Sequence, residues 1–416
     1  NVQLVVGEFP AFGDSQTRTI GTPDPGKTSW AVGDELLLVI DNTSYGSHSA
    51  TFTYNGKSWE LTSGELVYRE GDPAYIPHVY YAPNYKWANT SLMLKKGKVA
   101  GTDEYIEGKA IITGNGETIT VSFAEATRKY SRLRIATLPN EQITVDTEYF
   151  TPAGSSDMEQ EGNYTLTSDE KGNAYLYGTF ENNSEVTVKY REAALTTYTF
   201  SQATESAKSY ALDATVISAN SAEEIKSAIE QKVADGKTTI RLNLAPNAGT
   251  DEFMAIREAI KGAAPNDEGT IELTIIGVET IPEEAFKRMS QLKSVKMPDV
   301  KEIKKYAFRE CQYLTVVEAP SLNKLNSGAF NECYLLSKLT FGPINYADAR
   351  YWSIFEDITP NIDLILSDYQ KEMIETDDDL YTANNDTDYA FSPEHVSKNF
   401  LGHEFKSITC RRYRVE

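Results

Sequence analysis

Residues 281–302 read IPEEAFKRMSQLKSVKMPDVKE, residues 303–324 IKKYAFRECQYLTVVEAPSLNK and residues 325–346 LNSGAFNECYLLSKLTFGPINY. Stacked in rows of twenty-two they align without a slip from Ile281 to Phe341. Ile281, Ile303 and Leu325 share a column, as do Ala285-Phe286, Ala307-Phe308 and Ala329-Phe330. Met289, Cys311 and Cys333 follow, then Leu292, Leu314 and Leu336, Val295, Val317 and Leu339, and Met297, Ala319 and Phe341. Pro298 and Pro320 close two rows and Gly342-Pro343 the third. A fixed period near twenty-two marks a leucine-rich solenoid. Each row is expected to hold a short strand (294–297, 316–319, 338–341), then a turn and a short helical return carrying Ala-Phe. One row cannot bury its own apolar face, so rows stack, with strands about 4.8 Å apart in a parallel sheet. Such a sheet offers a broad, regular surface suited to binding rather than to chemistry.

The pattern Ile-x-x-x-Ala-Phe-x-x-Cys-x-x-Leu-x-x-Val-x-x-Pro resembles the BspA-like leucine-rich repeat family, with Cys311 and Cys333 where that family buries a Cys. The resemblance implies a bacterial surface protein associated with adhesion and the binding of host proteins.

The chain has 416 residues, enough for several domains, and a net charge of −21. Nucleic-acid binding requires a basic footprint, so that acidity argues against it, and against anionic lipid surfaces; its ordinary consequence is solubility. No apolar run approaches the ~20 residues that span a bilayer. Asn1 is preceded by no Met, basic n-region or apolar h-region, which reads as a targeting segment removed or a trimmed chain. Of the three Cys, Cys311 and Cys333 occupy equivalent interior slots and read as small buried hydrophobes rather than a disulfide. Without a CxxC, and with His48, His78, His395 and His403 scattered, there is no zinc constellation.

Residues 1–216 are rich in short alternating runs between turn signals: 35–40, 50–54, 57–61, 119–123, 132–137, 174–180 and 185–190. Asn55-Gly56, between two of them, is a signal for a two-residue type I′ hairpin. Many short strands at this spacing point to β-sandwiches, two of them at this length. Thr17-Arg18-Thr19, Ser29-Trp30-x-x-Gly33-Asp34, Thr53-Tyr54-Asn55-Gly56-x-x-Trp59 and Val79-Tyr80-Tyr81-Ala82-Pro83 resemble the fimbrillin-like (Mfa-like) family. Thr120–Phe123 with Ser131–Ile135 resembles that family's core in a second copy, with Ala124 where a His is usual. The resemblance implies outer-membrane lipoproteins and pilus components; the lipid-bearing Cys is absent from this chain. Trp30, Trp59 and Tyr80 read as sandwich core rather than a sugar platform, and Gly33-Asp34 as a turn rather than a ligand.

Past Val216 helices appear. Ser221-Ala222-Glu223-Glu224 is a capping box opening a helix through Ile225, Ile229 and Val233. A strand 239–244, a helix expected to be capped by Asp251, and a strand 271–276 follow. They form the cap a terminal repeat requires. Beyond the rows, Trp352, Phe355, Ile358, Ile362 and Leu364 continue the pattern with an insertion of about three residues. Residues 367–374 look helical, and the alternating run 405–415 is placed as a closing strand on the sheet edge. Asp377-Asp378-Asp379, Asp386 and Asp388 read as a solvated acidic loop; calcium is the alternative, although the spacing matches no EF-hand.

The expected architecture is multidomain: two all-β fimbrillin-like sandwiches, 1–88 and 89–216, then an α/β leucine-rich repeat solenoid of 22-residue repeats, 217–416. Within the latter, 217–276 is a helix–strand cap, 277–366 the repeats and 367–416 the C-terminal cap. No GxSxG, P-loop, GxGxxG or HExxH occurs. Two carboxylates from separate strands, as glycoside hydrolysis needs, leave no motif. The reading is a surface binding protein without catalysis, cofactor or metal, anchored through a lipid that this chain does not carry. Its ligand is a protein, of host extracellular or fimbrial origin. The binding residues are the outward strand positions Thr274, Lys296, Glu318 and Thr340, with Glu272, Ser294, Val316 and Lys338 beside them. The pleat sets them opposite the buried Val295, Val317 and Leu339. The alternatives are a fimbrial accessory or tip subunit assembled through the sandwiches, and an outer-membrane glycan-binding lipoprotein.

Overall fold

The computed structural model describes residues 3–14, 26–42, 46–68, 75–113, 117–123, 128–191, 193–219, 221–342, 344, 346–347, 354–366, 399–401 and 403–410. The chain divides into two units, residues 1–190 with 194–215, and residues 216–416 with 191–193.

In the C-terminal unit the columns of the repeat are packing contacts. Ile281, Ile303 and Leu325, the three Phe of the Ala-Phe pairs, Met289, Cys311, Cys333, Val295, Val317 and Leu339 are all at 0% exposure. One column escaped the sequence reading: Val300, Leu322 and Ile344, equally buried. Eight parallel strands build the main sheet, in the order Ile217–Ala219, Thr239–Leu244, Ile271–Ile276, Leu292–Lys296, Val316–Ala319, Lys338–Phe341, Asp363–Leu366 and Ser407–Cys410. Val295 pairs with Val317 and Val317 with Leu339, so the ladder repeats the sequence columns. A second ladder of two-residue strands runs through Ile281, Ile303, Leu325 and Ala347.

The helical return expected in each row is not helical; it is a chain of turns. The amides of Ala285, Lys287 and Met289 close local turns onto Pro282, Glu284 and Phe286. Those of Glu284, Phe286 and Arg288 bond instead to the carbonyls of Lys305, Ala307 and Arg309 in the next row. A helix would direct its amides along its own axis, toward carbonyls of the same row. The alternation leaves half of them to bind rows together. It requires two left-handed residues per row: Glu284, Tyr306 and Gly328 in one column, Arg288, Glu310 and Glu332 in the other, all at positive φ.

Helices occur in the leading cap. α1 (Ala222–Ala234) is N-capped by Ser221, which accepts from the Glu224 amide at 3.3 Å. α2 (Thr250–Ala263) starts at Gly249 rather than at Asp251. The reason is Glu252, whose carboxylate accepts the Gly249 amide at 2.8 Å; Asp251 falls in the first turn, where it complements the helix dipole. Ser407–Cys410 is the closing strand on Asp363–Leu366, as expected for the run from 405. The helix expected at 367–374 and the acidic loop at 377–388 lie outside the described residues.

In the N-terminal unit, seven strands close into a barrel: Gln3–Val6, Thr118–Ser122, Ile106–Thr113, Tyr75–Tyr81, Glu35–Asn42, His48–Tyr54 and Trp59–Gly64. The first sandwich is thus replaced by a closed sheet, because Gln3–Val6 lies parallel to Thr118–Ser122 and meets the other edge at Leu4 and Trp59. The boundary expected after residue 88 falls within this barrel. Thr120–Val121, read as second-copy core, belongs to it too, and Phe123 packs on its core. The second body is one eight-stranded sheet around Gln142–Pro152 and Asn173–Phe180, cored by the stacked rings of Phe150, Phe180 and Phe200. The 11-residue strand Gln142–Pro152 changes partners at Tyr149, pairing with Glu185–Tyr190 before it and Asn173–Phe180 after it. A left-handed φ of 49° at Tyr149 makes that corner.

The Trp-x-x-Gly-Asp turn is structural. Asp34 accepts the Ala31 amide at 2.7 Å and Gly33 has φ 93°. Trp30 donates to the Gly7 carbonyl at 2.8 Å and packs edge-on against Phe9, Trp59 and Tyr81. The Asn55-Gly56 hairpin forms, with a longer loop than expected: Tyr54 pairs with Trp59, leaving Asn55–Ser58 between them. The Asn55 side chain accepts the amides of Lys57 and Ser58 at 2.9 and 2.8 Å, which fixes the wider turn.

Candidate binding face

Strand register turns the eight expected site residues into two rows across the main parallel sheet. Glu272, Ser294, Val316 and Lys338 pair in sequence, and so do Thr274, Lys296, Glu318 and Thr340. The inward neighbours Leu273, Val295, Val317 and Leu339 anchor each strand in the core.

The rows are longer than the repeat period implied. Thr239 and Arg241 precede them, and Asp363 with Ile365, then Ser407 with Thr409, follow. These positions break the twenty-two-residue spacing, so the columns did not reach them. The alternating apolar residues Ile240-x-Leu242 and Leu364-x-Leu366 were the signal available.

Exposure is uneven. Lys296 and Glu318 keep about a third of their side-chain surface in solvent (35% and 33%). Thr274 and Thr340, although at outward positions, are 4% exposed. Each is a short side chain between longer cross-strand neighbours, Arg241 and Lys296 for Thr274, Glu318 and Ile365 for Thr340. The Thr340 hydroxyl has no hydrogen-bond partner among the described residues.

The charges neutralise one another in place. Lys293 donates to Glu272 at 2.8 Å, Lys296 stands 3.8 Å from Glu318 and Lys406 lies 3.0 Å from Asp363. The Lys293 pKa is raised by its hydrogen bond to Glu272. Bonds from Ser407 and Lys406 lower that of Asp363. The outcome is a mosaic of paired charges, hydroxyls and a half-buried Val316. Such a surface matches a protein patch of mixed polarity better than a polyanion. Its side chains form no nucleophile–base pair, and among the described residues no group of three His, Cys, Asp or Glu is placed to hold a metal. Both buried cysteines are free. Each thiol donates to the Phe carbonyl of the preceding row, Cys311 to Phe286 at 3.0 Å and Cys333 to Phe308 at 3.1 Å. Burial pushes the Cys311 thiol up to about 12, far from the range of reactive cysteines.

Residues 271–366 match the family model of the BspA type leucine rich repeat region, in six copies. This segment is a BspA type leucine-rich repeat region, and the sequence columns fall within it. No curated protein matches the chain. A solved structure of a minor pilin from the Gram-positive pathogen Streptococcus agalactiae aligns over 52% of this chain and 95% of its own, at 11% identity and TM-score 0.19. A score that low carries no argument about fold. Among the described residues no helix is long and apolar enough to cross a membrane.

Proposed function

We propose that this is a cell-surface binding protein whose leucine-rich repeat sheet presents the ligand face to a protein partner. The observation that carries the reading is the in-register alignment of Lys296 with Glu318, and of their row neighbours, on a parallel sheet backed by a continuous core. A rigid sheet holds contact side chains in place before the partner arrives, which lowers the ordering cost of binding. The BspA type repeat supports the surface role, since such repeats are associated with adhesion. The partner is a host extracellular protein or a fimbrial subunit, and the chain acts without catalysis. The β-rich unit of residues 1–215 serves as a stalk or assembly module, in a protein held at an outer membrane by a lipid anchor. The test is the double variant Lys296→Glu with Glu318→Lys. It keeps one charge of each sign on adjacent strands, so the melting temperature is expected to hold, while the pattern offered to a partner is reversed and capture is lost.

A further inference from the structure

The N-terminal barrel carries a cleft of ≈ 490 Å³ on its outer wall, within the roughly 300–1,000 Å³ typical of small-molecule sites. Its floor is a single row across four strands: Tyr80 pairs with Leu37, Leu37 with Thr51 and Thr51 with Ser63. Its side is the hairpin Tyr85–Ala88 and Ser91–Leu94, which brings Trp87 into the lining. That hairpin turns through Asn89 and Thr90, both at positive φ, as a two-residue primed turn requires.

The base of the hairpin is fixed. Buried Asn84 donates to the Val99 carbonyl and to the Thr102 hydroxyl, both at 3.0 Å, and accepts the Lys95 amide at 2.8 Å. The Tyr85 hydroxyl donates to the Ala153 carbonyl at 2.9 Å. Three of the five charges in the lining are paired, Asp34 with Lys27 at 2.8 Å and Glu35 with Lys95 at 3.3 Å; Asp103 accepts the Glu104 amide at 2.8 Å, and Lys86 is exposed on the hairpin. The open groups on the floor and on Trp87 are neutral. The hydroxyls of Ser49, Thr51 and Ser63 and the indole N–H of Trp87 have no hydrogen-bond partner among the described residues, and no ring packs on Trp87.

We infer that this cleft binds a neutral saccharide. A pyranose has one face of C–H groups, which packs on an aromatic ring, and a rim of hydroxyls, which need donors and acceptors. Trp87, Tyr80 and Leu37 supply the first kind of surface, and the three open hydroxyls, with Glu35 and Lys95 at the margin, supply the second. An apolar ligand would strand those hydroxyls unpaired. The floor row carries no charge, and the cation Lys86 stands on the hairpin wall, exposed to solvent. The inference stands apart from the repeat face, on the other unit of the chain.

Isothermal titration of the full chain with three neutral trisaccharides, built of glucose, N-acetylglucosamine and mannose, tests it. At least one is expected to bind with one-to-one stoichiometry. Trp87→Ala should then weaken it roughly tenfold or more, and Thr51→Val, on the rigid floor, a few-fold, with Trp87→Phe restoring most of the affinity. Thr51→Val covers the case in which the hairpin of Trp87→Ala collapses. No heat from any of the three at roughly 10 mM, or binding that both Trp87→Ala and Thr51→Val leave unchanged, overturns the inference. So does binding of unstructured peptides at this cleft in place of every trisaccharide.

Discussion

Phe308 and Phe330 stack with ring centroids 5.5 Å apart and planes 7° from parallel. They are the middle of a file that runs from Phe286 through Phe355. Both ends are stopped by a ring turned edge-on, Phe253 of α2 at one end and Phe405 at the other. Parallel stacking follows the rows set by the backbone ladder, and the edge-on rings end it, so that each cap packs on the same column that builds the repeats.

Removing the central ring opens a cavity with no flexible wall to fill it. Phe308→Ala is expected to cost about 3–5 kcal/mol, and Phe308→Leu less. Urea unfolding, followed by hydrogen exchange on peptides covering residues 281–346, reads the loss. Loss of protection should spread to both neighbouring rows, because their amides bond across rows.

Gly328 stands in the left-handed column with Glu284 and Tyr306, and a Cβ on it would lie 2.5 Å from the Tyr306 ring. Gly328→Ala should therefore cost more than the about 1–2 kcal/mol of the backbone alone. In a Tyr306→Ala background the contact part disappears, so the two changes should be non-additive in a double-mutant cycle. Equal costs of Gly328→Ala in both backgrounds would contradict the contact.

Burial holds the Cys311 thiol protonated to about 12, whereas a thiol in the unfolded chain ionises near 8.5. The folded pKa is the higher one, so this contribution is complete below the unfolded pKa and is lost as pH rises toward 12. Between about pH 9 and 11 the unfolded state sheds the proton and the native state keeps it, giving a slope of about 1.4 kcal/mol per pH unit for this group. The stability gap between the native chain and Cys311→Ala should narrow with pH over that window. Neither Cys311 nor Cys333 should react with iodoacetamide at pH 8 until the protein unfolds, with mass spectrometry as the readout.

Much of this was legible from residue spacing, and the failures have physical causes. A column of Phe or Val at fixed period can only be a stack, so strand positions and register across rows followed directly. The turn-built return did not, because Glu284 and Arg288 adopt left-handed backbone without being Gly or Asn. The barrel was read as part of a sandwich because its closure depends on Gln3–Val6 meeting Thr118–Ser122 across the whole domain. Asn55-Gly56 advertised a two-residue hairpin, yet Asn89-Thr90 makes one; the Asn55 side chain captured two amides and widened its own turn. Tyr80 read as core because strand alternation gives two faces without labelling them, and it lies on the outer wall. Thr274 and Thr340 alternate with buried core residues as the strand pattern implied, but their own burial depends on the lengths of cross-strand neighbours.

Arg128 and Glu104 form a buried ion pair at 2.6 Å, and Arg128 also donates twice to the Pro10 carbonyl, at 3.0 and 2.7 Å. Its guanidinium lies 3.7 Å from the Phe12 ring centroid. It thereby pins the segment that leaves the barrel at Val6 and joins the second sheet at Gly13. Arg128→Ala leaves Glu104 buried without its cation and should cost about 3–5 kcal/mol. Arg128→Lys should recover little, since an ammonium cannot match the planar fork. Thermal unfolding of the two variants, side by side, checks this.

The central claim is that the repeat sheet selects a protein partner. The most direct measurement is capture from host extracellular material and from bacterial envelope extract, with the full chain and its Lys296→Glu, Glu318→Lys variant as baits, identified by quantitative mass spectrometry. The account predicts a protein retained by the native chain and lost from the variant, with equal melting temperatures for both baits. Equal retention of every captured protein by the two baits contradicts it.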